Sequence, residues 1–139
     1  MKPAPKKSVV IVDDDQFYLS LLLQLLEEHL DCPVLALAHP REALAALPRL
    51  NAGLIVTDYE MPDLNGFDFM AEAAKVVPRV PFILITGLPI SAAMEEMVNT
   101  SALKAILHKP FNWRTLADEI VRHWPESGAA LLKANPTSA

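Results

Sequence analysis

Five short runs of branched and apolar residues punctuate the chain, at positions 9–12, 34–38, 54–57, 82–86 and 105–107. They mostly lack the polar–apolar alternation of a half-solvated strand, so each predicts a strand covered on both faces. Between them, apolar residues recur at helical spacing over 16–30, 41–47, 67–77, 91–100 and 112–123. Pro33, Pro40, Pro48, Pro78, Pro81, Pro89 and Pro110 separate the segments. Strands alternating with helices in this way predict a parallel sheet with right-handed crossovers and helices on both faces, an α/β doubly wound domain. The expected organisation is an N-terminal tail at 1–7, one domain at 8–124, and a Pro/Gly-punctuated tail or linker start at 125–139.

Composition narrows the class without changing it. A chain of 139 residues, 52% hydrophobic and 21% charged, suits one globular domain with a full core. Its net charge of −5, with the only basic cluster at Lys2, Lys6 and Lys7, disfavours direct DNA binding. Cys32 is the sole cysteine, so no intrachain disulfide forms and a reducing compartment is expected. The first residues lead into charge rather than a secretory apolar core, and the Leu-rich segment from Leu19 is interrupted by Ser20, Gln24 and Glu27. A soluble, cytoplasmic protein without membrane contact is the expectation.

In doubly wound sheets the carboxyl ends of the strands share one edge, where ligands bind. The first strand leads into Asp13, Asp14 and Asp15, and the third into Asp58; the fourth ends on Thr86, and the fifth leads into His108, Lys109 and Pro110. Carboxylates about 4 Å apart repel by about 4 kcal/mol per pair at an effective dielectric near 20. Crowding Asp13, Asp14 and Asp58 therefore calls for a cation among them. A hard divalent ion with oxygen ligands serves, and Mg²⁺ suits a site with few protein ligands that also accepts a phosphoryl oxygen. With Lys109 as a second positive charge, a carboxylate is able to attack phosphorus and form an acyl phosphate.

The segments "VDDD", "TDYEMPDLNG", "ITG" and "HKPF", in that order, resemble the receiver domain of bacterial response regulators over residues 8–123. The resemblance implies a flavodoxin-like receiver fold with five helices and strand order 2-1-3-4-5, an order taken from known receivers. It also implies that Asp58 is the phosphoacceptor. Asp14, Asp58 and the backbone carbonyl of Glu60 would ligate Mg²⁺, with Asp13 acting mainly through water. Thr86 would hydrogen-bond the phosphoryl group and Lys109 would pair with it. Lys109–Pro110 would be a cis peptide, and Gly66 would start the third helix. The implied donor is a phosphohistidine on a sensor histidine kinase or histidine phosphotransfer protein.

Three features bear on how such a receiver works. The first helix carries two adjacent apolar faces, one of Tyr18, Leu21, Leu22 and Leu25, the other of Leu19, Leu23, Leu26 and Leu30. A helix on a sheet needs about one, so either the helix is deeply buried or Leu19 and Leu23 form the docking surface for the donor. Receivers usually carry an aromatic residue three positions before the Lys; here it is Ile106, which implies a smaller rearrangement through residues 86–91. Glu60, two positions after Asp58, would reach over the site. Output would pass through the face of the fourth helix, fifth strand and fifth helix to a downstream protein that the sequence does not name.

Taken singly, these residues have plainer readings. Asp15 is expected to cap the first helix. Asp58 alone reads equally well as a solvated loop acid, and Thr86 and Lys109 alone as an ordinary strand end and a surface lysine. His29, His39, His108 and His123 lack metal-ligand spacing, and Trp113 and Trp124 read as packing residues. A haloacid-dehalogenase-like phosphatase shares the Asp, Thr, Lys and Mg²⁺, but its first motif wants Thr or Val at Phe17 and its last an acidic pair where Pro110, Phe111 and Asn112 stand. A receiver fold that docks without being phosphorylated is the other alternative. No DNA-reading helix pair and no cyclase or esterase motif is visible.

Overall fold

Val9, Val10, Ile11 and Val12 are each at most 1% exposed, which only a strand at the centre of a two-faced sheet achieves. The computed structural model describes residues 6–126 and 131–133; residues 1–5, 127–130 and 134–139, and with them Lys2 and most of the two expected tails, lie outside the described residues. Strands β1 (Ser8–Val12), β2 (Val34–Leu37), β3 (Ala52–Asp58), β4 (Phe82–Thr86) and β5 (Leu103–His108) alternate with helices α1 (Gln16–His29), α2 (Pro40–Ala46), α3 (Gly66–Val76), α4 (Ala92–Thr100) and α5 (Trp113–His123). The sheet is parallel, in the order β2-β1-β3-β4-β5, as the resemblance implied.

Alternation along each strand sends successive side chains to opposite faces. Val9, Ile11, Leu54, Val56, Ile83 and Ile85 meet Leu22 and Leu26 of α1 and Leu116 and Ile120 of α5 on one face. Val10, Val12, Ile55, Phe82 and Leu84 meet Ala43 of α2 and Phe69, Met70 and Ala73 of α3 on the other. Helix starts follow the sequence. Asp15, Asn65, Ser91 and Asn112 each accept a backbone N–H at the N-terminus they precede, and Pro40 opens α2, where its missing N–H costs nothing.

Three departures are informative. Leu19 is 6% exposed and Leu23 half-buried, both packed into the α1–α5 core, so the burial of Leu19 argues against the expected docking surface there. The apolar residues that α1 leaves to solvent are Phe17, 84% exposed, and Leu21, 45% exposed. Strand ends also shift: β3 begins at Ala52 and extends through Asp58, and β5 begins at Leu103. Finally, Leu131–Lys133 returns to the body. Leu131 is 4% exposed within the α1–α5 core, its carbonyl accepts the Asp31 N–H at 2.6 Å, and the Lys133 N–H donates to the His29 carbonyl at 2.9 Å. Among the described residues no helix is long and apolar enough to cross a membrane.

Candidate functional site

Parallel register places the strand ends at one level. Asp58 of β3 lies opposite Ile85, and Thr86 of β4 opposite His108. The Asp13 N–H donates to the Leu37 carbonyl and the Lys109 N–H to the Thr86 carbonyl, so both residues directly past their strands stay tied to the sheet edge. Gly66 lets α3 start against that edge. A Cβ there would come within 2.6 Å of Leu84 Cδ1 and 2.9 Å of the Asp58 carbonyl oxygen, while the Gly66 N–H donates to the Tyr59 carbonyl at 2.8 Å. A peptide this close to β3 fixes where Asp58 ends.

One carboxylate oxygen each from Asp13, Asp14 and Asp58 lies within 4.8 Å of the others. Asp13 and Asp58 are buried and Asp14 is exposed. Lys109 Nζ stands 3.3 Å from Asp58 Oδ1 and 3.6 Å from Asp13 Oδ2. Asp13 Oδ1 accepts the Asp15 N–H at 3.0 Å, yet Asp13 Oδ2 and Asp58 Oδ1, both buried, have no hydrogen-bond partner among the described residues. Burial, and then the charge of Asp13, push the Asp58 carboxyl up to about 6 against the pull of Lys109. Burial also raises Asp13, opposed by the Asp15 N–H and Lys109. Two buried anionic oxygens facing one amine are under-compensated. Hard oxygen donors in this state fit a small divalent cation.

The remaining residues frame this centre. Thr86 is fully buried and its hydroxyl accepts the Leu88 N–H at 3.0 Å. Glu60 is exposed but not free: its Oε1 accepts the Gly87 N–H at 2.7 Å and faces the Thr86 hydroxyl at 3.4 Å. Ile106, half-buried, packs on the α3 side of the sheet. Lys109–Pro110 is cis. His39 precedes α2 without capping it through its side chain.

Tyr18 belongs to the site although its sequence context read only as part of an apolar face. Its ring centroid lies 4.8 Å from Lys109 Nζ, and Phe111 meets it edge-on at 6.3 Å. Burial and the charges of Asp13 and Asp58 push its phenol up to about 12. Tyr18, Leu21, Leu25, Phe111 and Trp113 line a groove of about 500 Å³ between α1 and α5, and Tyr18 connects it to Lys109.

A family model described as the response regulator receiver domain matches residues 9–121. The chain belongs to that family. A receiver domain protein (CheY-like) from Methanospirillum hungatei superposes with a TM-score of 0.74 at 30% identity, over 84% of this chain and 92% of that one. Among curated relatives, a putative two-component response regulator of Arabidopsis thaliana is 32% identical over 59% of this chain and 14% of its own length. The C4-dicarboxylate transport transcriptional regulatory protein DctD of Rhizobium meliloti is 34% identical over 63% of this chain and 18% of its own. The chain thus spans less than one fifth of the length of these two relatives.

Proposed function

We propose that this receiver takes a phosphoryl group on Asp58 from a phosphohistidine of a sensor histidine kinase or histidine phosphotransfer protein, in the cytoplasm. The observation that carries the reading is the pair of buried carboxylate oxygens of Asp13 and Asp58 that share one amine, Lys109, at 3.6 and 3.3 Å. Asp14, Asp58 and the Glu60 backbone carbonyl would hold Mg²⁺, with Asp13 reaching it through water. Bound there, the ion supplies charge neutralisation at the carboxylates and at a phosphoryl oxygen. An Asp58 oxygen forms the bond to phosphorus as the bond from phosphorus to the donor's imidazole nitrogen breaks, leaving an acyl phosphate. Lys109 faces the charge developing on one equatorial oxygen and the Thr86 hydroxyl donates to another.

With Leu19 buried, the docking surface would instead comprise the exposed Phe17 and Leu21 and the groove between α1 and α5, where Tyr18 stands over Lys109. An amphipathic helix laid in that groove would present its phosphohistidine to the site. Phosphorylation would then act on the face of α4, β5 and α5, around Ile106, as the surface for a downstream protein. Acetyl phosphate with Mg²⁺ tests the chemistry. The expected result is a phosphate-sized mass gain on the protein that Asp58→Asn eliminates. Steady release of phosphate from simple phosphomonoesters, with no covalent adduct, would point to a phosphatase instead.

A further inference from the structure

Glu60 has no role for its side chain in that chemistry, yet the carboxylate is held at two points. Its Oε1 takes the Gly87 N–H at 2.7 Å and lies 3.4 Å from the Thr86 hydroxyl. That hydroxyl already accepts the Leu88 N–H, so its single proton is left to donate towards Glu60. Both donors sit at the end of β4, beside Asp58 in the sheet. Gly87 permits the close approach, since a Cβ would stand 3.2 Å from Oε1. A phosphoryl group on Asp58 needs the Thr86 hydroxyl for its own oxygens, and a backbone N–H next to that hydroxyl is the natural second donor for an anion. The donors that would receive the phosphoryl group are therefore engaged by an anion of the chain itself.

We infer that Glu60 is an internal stand-in for the phosphoryl group, occupying the Thr86 and Gly87 donors until phosphorylation of Asp58 displaces it. This rests on the phosphoacceptor reading above and adds a competition to it. In the resting receiver Glu60 ties the start of the loop after β4 to the loop after β3. Phosphorylation exchanges one anion for another at the same donors and frees the Glu60 side chain into solvent, which already reaches that residue. The change transmitted towards α4 is then an exchange of partners at Thr86 and Gly87, with no aromatic side chain needed at Ile106.

Two measurements test it in the whole chain. In the unphosphorylated protein without Mg²⁺, Glu60→Ala should move the Gly87 amide resonance upfield and speed its hydrogen exchange about tenfold, because the acceptor is gone. With Mg²⁺, beryllofluoride, a mimic of the phosphoryl group, should bind Glu60→Ala about tenfold more tightly than wild type, equivalent to ~1.4 kcal/mol. Gly87→Ala, whose methyl presses on the carboxylate but keeps the N–H, should fall between them. An unmoved Gly87 amide, or equal beryllofluoride affinities in wild type and Glu60→Ala, overturns the competition while leaving phosphorylation of Asp58 intact. Failure of both proteins to bind beryllofluoride or to accept phosphate would remove the phosphoacceptor reading, and the stand-in with it.

Discussion

Asp58 sits under opposing demands. Burial and the neighbouring Asp13 favour its neutral form, whereas a nucleophile must be ionised; Lys109 alone, among the described residues, stands as counter-charge. The folded-state carboxyl near 6 lies above the ordinary 3.8. The folded protein therefore binds more protons here than the unfolded chain between those values, and this group's contribution to stability falls as pH rises through that window. A shift of that size corresponds to ~2–3 kcal/mol of destabilisation at pH 7. Asp58→Asn should accordingly raise the thermal midpoint of the metal-free receiver at pH 7.5, with the difference from wild type closing as pH is lowered towards 4. Mg²⁺ at pH 7.5 should narrow the gap from the other side, because it binds the folded wild type and loses a ligand in the variant. Calorimetry with and without chelator checks both; a midpoint difference that ignores pH would show that Asp58 is not held against its ionisation. The acidic cluster, Thr86 and Lys109 were legible in the sequence because strand ends of a doubly wound sheet share an edge. The hold of Glu60 on Gly87 was not, since it depends on the conformations of two loops that no periodicity encodes.

At the scale of elements, the strands were readable because burial on both faces leaves an unbroken apolar run. Helix α1 was ambiguous for the opposite reason. Two adjacent apolar stripes fit the same helix, and sequence periodicity does not say which meets the sheet; the structure turns Leu19, Leu22 and Leu26 inward. The return of Leu131–Lys133 had no sequence signal either, lying beyond the residues that match the family model. Its effect is to finish α1. The carbonyls of a helix's last turn lack intrahelical donors, and here the Lys133 N–H serves that of His29 while Lys133 Nζ serves that of Glu27 at 2.7 Å. Leu131 meanwhile fills space between α1 and α5. Leu131→Ala should lower unfolding free energy by ~2–5 kcal/mol in urea titrations, the range for truncating a buried leucine to alanine. Phosphorylation by acetyl phosphate should be unchanged in rate, because the strap is placed at the end of α1 away from Asp15, which opens that helix beside the site. A loss below ~0.5 kcal/mol, the range of surface substitutions, would mean that the strap is not part of the folded core.

Across the whole molecule, α1 links the core to the site and carries the proposed docking face. Leu19 and Leu22 hold it on the sheet, Tyr18 leans on Lys109, Phe17 faces solvent, and Leu21, partly exposed, lines the groove. Positions two residues apart on one helix should therefore fail in different ways. Leu19→Glu buries a charge without a partner, so it should unfold the receiver and remove both routes of phosphorylation together. Leu21→Glu alters a surface already 45% exposed and should leave the fold intact. Its new charge would face the apolar side of a docking helix, costing at least about 1.4 kcal/mol of binding, or tenfold. With a histidine phosphotransfer domain that phosphorylates the wild type, kcat/KM for transfer to Leu21→Glu should fall at least about tenfold, while acetyl phosphate, too small to need the groove, should react at the wild-type rate. Parallel losses from both donors would place Leu21 in the reaction or the fold rather than at the interface. Unaltered transfer from the protein donor would move the docking surface off α1 altogether.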